Sequence, residues 1–402
     1  MDLIAFLFAI IRYKCFDKAE SIKTISEMLR NSSAVWQKFA QILSYNETFI
    51  DKELAVELQK MLTKCPVHDM EYSQKIIKKL GRYNVKTLKL LGSGTIAQTY
   101  KGYDETSGKD VVFKVLHPSV VEEARDARDA YYKARDSVIF PKAMVKFCDL
   151  FFDGIVDQTN TKLEFKNGQK MKKMFGAKKN NLFVFPDMLN YSNQCIVMSY
   201  VKSRHITLKN RADFEVIDMI RYYESVAIFV SLNMLHGFMH SDMHCGNYGM
   251  IKSESGDIQI AVYDFGAVND IRDLDLSFRT QVVVGTNTFN IGMATQAWFR
   301  DCPEHIPLVE KLFCVDDEEF EQCYMDNFRR LLLYTFENKI VLPESNYKFL
   351  MMSEKFMPLF EILHDLYDVN DEMNEYKRTN GVKAFYVKYF NYDDVQILID
   401  VL

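Results

Sequence analysis

The spacing of apolar residues divides the chain into a helical start, a strand-bearing middle and a helical end. Up to about residue 84 no strand alternation appears, and the segment reads as helices, broken near Cys65-Pro66 and ended by Gly81. A helix through Val35 to Leu43 puts Trp36, Phe39, Ala40 and Leu43 on one face, while Lys38 and Gln41, three residues apart, share another. Val111-Val-Phe-Lys114-Val115 reads as a strand with one lysine among apolar residues. Between Val120 and Phe175 the pattern is helical, and the charged run Ala124 to Ala130 predicts a solvated helix. Val226 to Leu235 predicts an apolar helix that Gly237 ends, and Ile258 to Tyr263 alternates like a strand. From about residue 276 onward, Phe, Tyr and Met dominate what reads as helical packing, with no motif.

Candidate chemistry sits at the ends of these elements. His240-Ser-Asp242-Met-His-Cys-Gly-Asn247 is followed 17 residues later by Asp264-Phe265-Gly266. Phosphoryl transfer on a kinase-like scaffold needs a carboxylate for the acceptor hydroxyl, plus an Asn and a second carboxylate for Mg²⁺. Asp242 suits the first role, and Asn247 and Asp264, both oxygen donors, suit the metal. The hairpin Gly92-Ser93-Gly94-Thr95-Ile96-Ala97 suits a phosphate loop, its glycines letting N–H groups approach phosphate oxygens. Lys114 follows at the distance that a phosphate-binding lysine requires. Taken singly, Asp-Phe-Gly is a strand end with a turn, and the hairpin is ordinary with a snorkelling lysine. Four elements in the right order favour phosphoryl transfer.

These residues resemble the UbiB/ADCK (aarF-domain) group of atypical kinases. That family's His-Ala-Asp-Pro-His-Pro-Gly-Asn loop matches 240–247, and its Lys-Val-Gln-His-Pro matches Lys114-Val-Leu-His117-Pro118. Ser-Ile-Ala-Gln-Val matches Thr95 to Thr99, Glu-Ala-x-Asn matches Glu164 to Asn167, and the hinge Val-Met-Glu-Tyr-Val matches Val197 to Val201. Its Lys-x-Gly-Gln matches Lys38-Phe-Ala-Gln41. The resemblance implies that Glu164 pairs with Lys114 and that Met198 and Tyr200 line the nucleotide. It also implies that Lys38 and Gln41 face the cleft between two lobes as an autoinhibitory element. Three departures stand out: Gly92 and Gly94 replace alanines, Ala40 replaces glycine, and Gln158 and Asn160 replace the acidic Glu-x-Asp pair. The last removes the expected ionic partner of Lys38, with Asp157 one residue off the pattern.

Composition narrows the alternatives. A formal charge of −5, from 50 basic and 55 acidic residues, gives no support to nucleic-acid binding. The basic cluster of Lys166, Lys170, Lys172, Lys173, Lys178 and Lys179 reads as a solvated helix face, with anionic lipid as the sharper alternative. Eight scattered cysteines without Cys-x-x-Cys predict a reduced, cytoplasmic or otherwise intracellular protein. His236, His240, His244 and Cys245 have the spacing of a zinc site, but the residues between them are those the kinase loop requires. The nine-residue apolar run Leu3 to Ile11 is too short to span a bilayer, and no signal peptide or transmembrane helix is evident.

The sequence therefore predicts an α+β, two-lobed, protein-kinase-like fold. It would comprise a helical extension (1–85), an N-lobe (86–201) with a helical insertion at about 120–175, and a mainly helical C-lobe (202–402). ATP and Mg²⁺ are the expected cofactors. The expected reaction is ATP hydrolysis or phosphoryl transfer to a small molecule or lipid-pathway component. An ordinary protein Ser/Thr kinase and a nucleotide-binding pseudokinase scaffold are the alternatives. No Ala-Pro-Glu and no long activation segment follow Gly266, so no platform for a protein substrate is visible.

Overall fold

The computed structural model describes residues 18–313, apart from 45–49, 51, 60–66, 136–141, 177–181, 208–209 and 288–290, together with 334, 335, 338, 340 and 362. The apolar start at Leu3 to Ile11, the Cys65-Pro66 break and Lys178 and Lys179 lie outside the described residues. Four helices come first: α1 (Lys18–Arg30), α2 (Ala34–Ser44), α3 (Lys52–Gln59) and α4 (Met70–Lys79). Strands β1 (Tyr83–Ser93), β2 (Ala97–Asp104) and β3 (Lys109–Leu116) follow, then helices α5 (Val120–Arg135), α6 (Lys142–Gln158) and α7 (Thr161–Phe175). Strands β4 (Phe183–Val184), β5 (Met188–Ser192) and β6 (Cys195–Ser199) lead to the long helix α8 (Val216–His236). Strands β7 (Phe238–His240), β8 (Tyr248–Lys252), β9 (Ile258–Val262) and β10 (Val268–Asp270) precede α9 (Leu276–Asn287), α10 (Ile291–Trp298) and α11 (Ile306–Phe313). No described helix is long and apolar enough to cross a membrane.

The chain forms two compact units, Met1–Gln169 with Asp187–Tyr200, and Lys170–Pro186 with Val201–Leu402. The first is built on a five-stranded antiparallel sheet in the order β1-β2-β3-β6-β5. Alternate residues of a strand face opposite sides. Val111, Phe113 and Val115 accordingly join Ile76 and Ile77 of α4 in one core, with Tyr83 and Tyr100. Val112 joins Ile196 and Met198 on the other face, covered by Phe165 of α7. Lys114 shares the parity of Val112, so the strand period alone puts it on this second face.

The helical extension is fixed to the insertion by aromatic rings. Phe152 of α6 meets Trp36 at 5.2 Å, Phe39 at 5.7 Å and Tyr131 of α5 at 4.7 Å, and Phe39 also meets Phe151 at 5.0 Å. The amphipathic face expected of α2 is buried as Trp36, Phe39, Ala40 and Leu43. On α5, Ala124, Ala127 and Tyr131 form the buried stripe of the charged run.

In the second unit α8 is buried on almost every side from Asp218 to Leu235, which suits a helix at the centre of a helical domain. Gly237 ends it with φ +66° and donates its N–H to the Met234 carbonyl. A Cβ there would lie 2.7 Å from Arg272 Cγ, so both conformation and space call for glycine. β8 pairs with β9 and β7 with β10, both antiparallel, while β4 lies parallel to β9.

Phe152→Ala removes the ring common to all three helices. It should destabilise the protein by about 3–5 kcal/mol, read as a lower denaturant midpoint. An unchanged midpoint would mean that α2 is not anchored by these rings.

Candidate functional site

In the first unit, Lys114 Nζ donates to both carboxylate oxygens of Glu164, at 2.9 and 3.1 Å. The Glu164 side chain is only 1% exposed and that of Lys114 13%. Three contacts place Glu164 on the first turn of α7. Asn160 Oδ1 accepts the Leu163 N–H at 3.1 Å and so caps the helix. Thr161 Oγ1 donates to the Ser192 carbonyl at 2.6 Å, tying the helix to β5. The rings of Phe165 and Tyr191 lie 4.8 Å apart. The neutral residue at 160, which the sequence marked as the loss of an ionic partner, thus positions Glu164.

The loop Gly92 to Ala97 joins β1 to β2. Neither Gly92 nor Gly94 has positive φ, and the Gly94 N–H is spent on the Ala97 carbonyl at 2.8 Å. Ser93 pairs with Gln98 in the ladder. The backbone N–H groups of Thr95 and Ile96, at the tip, donate to no acceptor among the described residues. An added Cβ at Gly92 would meet nothing within 4 Å, and at Gly94 only the Ala97 carbonyl oxygen at 3.6 Å. The protein's own packing therefore does not require glycine at either position.

Thr95 Oγ1 donates to Gln41 Oε1 of α2 at 3.3 Å. Gln41 is thereby brought to the loop, and Lys38 is half-buried one turn earlier on the same helix. Met198 is buried on the face that carries Lys114, with Tyr200 packed at its edge. Lys101 Nζ sits 4.3 Å from the centre of the Tyr200 ring and 2.7 Å from Asp110, which holds the Tyr200 ring just beyond β6.

The second unit holds Asp242, Asn247 and Asp264. His240, on β7, accepts the Asp242 N–H at Nδ1 (3.3 Å), so its Nε2 carries the proton and donates to the Tyr263 carbonyl at 2.8 Å. One imidazole thereby joins the loop to the residue before Asp264. Asn247 Nδ2 donates to the Asp242 carbonyl at 2.8 Å; its Oδ1 engages no donor among the described residues. The Asn247 carbonyl accepts the Tyr263 N–H at 2.8 Å. Asp264 has φ +55°, a strained region for a residue with a side chain. Its Oδ1 accepts the Gly266 N–H at 3.2 Å, and Phe265 is fully buried beside the His240 ring at 6.0 Å. Oxygen donors on Asn247 and Asp264 fit a hard cation such as Mg²⁺.

Other residues singled out by sequence are used differently. His240 is occupied as described and His236 packs on Phe175 at 5.7 Å. Among the described residues no three His, Cys, Asp or Glu side chains converge as a metal centre. In the basic cluster, Lys166 and Lys173 are exposed, but Lys170 Nζ lies 3.7 Å from the centre of the Phe238 ring and 3.7 Å from Asp270. Asn233 and His205 had no signal in the sequence. Asn233 Oδ1 accepts the His240 N–H at 2.9 Å, and His205 Nδ1 lies 2.9 Å from the Tyr248 carbonyl oxygen. Both hold the loop of residues 240–247 from outside it.

A family model of the ABC1 atypical kinase-like domain matches residues 63–286. That is more than half of the chain, which therefore belongs to the ABC1 atypical kinase-like family. Its relatives place it with the UbiB and aarF-domain kinases. AarF domain-containing kinase 1 of Drosophila melanogaster is 25% identical over 264 residues, 60% of this chain and 48% of the relative. Probable protein kinase UbiB of Pseudomonas fluorescens (strain Pf0-1) is 25% identical over 270 residues, 62% and 49% of the two chains. The chain spans about half the length of these curated relatives. Among solved structures, Mycobacterium tuberculosis Rv3197 in complex with erythromycin matches with a TM-score of 0.47 and 17% identity, over 81% of this chain and 87% of that one. The fold is α+β and kinase-like, and the family is one of kinase-like phosphotransferases.

Removing one partner of a desolvated pair leaves the other charge buried. Glu164→Ala should therefore cost about 3–5 kcal/mol of stability, measured by denaturant titration, and Glu164→Gln should cost less. Equal stability of wild type and Glu164→Ala would show that Lys114 finds another partner at no cost.

Proposed function

We propose that this chain is an atypical kinase or ATPase of the UbiB/ADCK kind, binding ATP with Mg²⁺ and hydrolysing it or transferring phosphate to a small molecule or lipid-pathway component. The observation that carries this reading is the buried two-point pair of Lys114 and Glu164. Lys114 shares its sheet face with Met198 and lies one strand from the loop of residues 92–97. A lysine buried among apolar residues and held by a carboxylate is oriented, and an oriented ammonium suits phosphate oxygens.

In this mechanism Thr95 and Ile96 offer their N–H groups to phosphate, while Met198 and Tyr200 bound the base. Asp242 takes the proton of the acceptor hydroxyl or of water. Its backbone is held on both sides, by His240 and by Asn247, so its carboxylate is presented without reorganisation. Asn247 Oδ1 and the Asp264 carboxylate would hold Mg²⁺, which supplies charge neutralisation on the phosphates. A small acceptor is favoured over a peptide because β10 ends at Asp270 and α9 already begins at Leu276. That leaves little room for an extended activation segment.

Millimolar Mg²⁺-ATP should raise the melting temperature. A ligand at a hundredfold its dissociation constant adds about 2.7 kcal/mol to stability. Asp264→Asn should weaken the Mg²⁺ dependence, and Asp242→Asn should keep nucleotide binding while losing turnover, with or without lipid present. No thermal shift in the wild type would dispose of the proposal; a shift with no turnover under any condition would favour a pseudokinase scaffold.

A further inference from the structure

Resting on the nucleotide-binding reading above, we infer that His117 is a positioning residue for the phosphate loop. In this inference a hydrogen-bonded chain from Ser73 through His68 holds its ring in one tautomer. His117 follows β3 directly and is 7% exposed. Its backbone N–H donates to the Ile96 carbonyl at 2.9 Å, and its ring Nε2 lies 2.9 Å from the Gly94 carbonyl oxygen. A single residue thus grips both carbonyls that flank Thr95. A trans peptide points its N–H opposite to its C=O. Drawing the Gly94 carbonyl towards His117 therefore turns the Thr95 N–H away from His117, as a phosphate-binding loop requires.

The tautomer follows from the bonds. Nε2 faces a carbonyl and must carry the proton, so Nδ1 of a neutral His117 is an acceptor. Across 2.7 Å stands Nδ1 of His68, which must then be the donor. Nε2 of His68 is left as an acceptor, and Ser73 Oγ lies 2.6 Å from it. The chain runs Ser73 to His68 to His117 to Gly94, each member donating to the next. Burial favours neutrality at both rings: His68 is lowered to about 4, mainly by burial and then by His117, with Asp69 opposing, and His117 is lowered by burial against its bond to the Gly94 carbonyl. Gln98 adds a brace, accepting the His68 N–H while its own amide nitrogen donates to Tyr100 Oη. Pro118, the next residue, has its own φ fixed by its ring, and Ser119 at φ +61° marks a strained turn on the far side of His117. A purely structural contact here would be met by apolar packing; two histidines, a serine and a glutamine fit better with holding two particular carbonyls.

The test compares near-isosteric side chains in the full chain. Gln at 117 keeps an N–H donor for the Gly94 carbonyl, whereas Met fills similar space with none. His117→Met should raise the dissociation constant and KM for Mg²⁺-ATP about tenfold, the loss of about one hydrogen bond's worth of organisation. Turnover at saturating nucleotide should change less than twofold, and His117→Gln should restore most of the affinity. Equal affinity of the folded Met and Gln variants, or of Met and wild type, overturns the inference. Should neither variant fold, His68→Leu is read the same way, because it spares both bonds of His117 to the loop: weakened binding supports the relay and unchanged binding overturns it. A wild type that binds no Mg²⁺-ATP instead sinks the nucleotide reading on which the relay rests.

Discussion

A lysine in the middle of an apolar strand is the constraint around which the first unit is organised. Lys114 sits between Phe113 and Val115 with its side chain 13% exposed, and a desolvated ammonium without a partner costs several kcal/mol. The strand cannot supply the partner, because its neighbours on that face are Ile196 and Thr99. A helix must bring a carboxylate from elsewhere, and α7 does so. Its position is then not free: the Asn160 cap, the Thr161 bond to Ser192 and the Phe165–Tyr191 contact all determine where Glu164 arrives. The insertion between β3 and β5 is thus the route by which the chain satisfies a charge that the sheet has buried.

Backbone strain falls at related points. Among the described residues only Ser119 and Asp264 combine a side chain with positive φ. Ser119 closes the turn after the histidine that grips the loop of residues 92–97, and Asp264, itself the proposed metal ligand, lies two residues beyond β9. Each is overdetermined by its surroundings. Glu123 donates its N–H to the Ser119 carbonyl at 2.9 Å, and fully buried Phe265 pins the backbone after Asp264. Strain of this kind persists only where neighbouring bonds exceed its cost of about 1–3 kcal/mol.

The parts legible in the sequence were those whose chemistry fixes both residue type and spacing. Asp242, Asn247 and Asp264 share one local frame, and the strand period alone faces Lys114 inwards. Glu164 stands fifty residues from Lys114, and such a distance is set by the path of the insertion; only resemblance could nominate it. The His68–His117 contact spans 49 residues and joins two histidines that have no common pattern, so nothing local announced it. Gly92 and Gly94 are a different case, because close approach to a phosphate is a property of a bound ligand and not of the loop's own packing. Glycine reports conformational permission, and the loop uses it neither for positive φ nor for its own packing. Asn160 was judged by the charge it lacks, whereas capping needs only an oxygen.

The anchoring of α2 bears on whether the extension is a switch. A reversible lid needs an interface worth no more than a few kcal/mol, or its open state is never populated. The face of α2 that meets the insertion buries Trp36, Phe39 and Leu43 to 6%, 5% and 5% exposure, with Ala40 at 0%. Full burial of each large apolar side chain is worth about 1.5–3 kcal/mol. Lifting the helix would therefore cost on the order of 5 kcal/mol, leaving an open population of about one in a few thousand. The contact of Gln41 with Thr95 is accordingly a fixed feature of the loop. Because the anchor is aromatic, salt should leave it intact, as it would not leave an ionic latch on Lys38. What α2 does to the loop of residues 92–97, it does as a permanent wall beside Thr95.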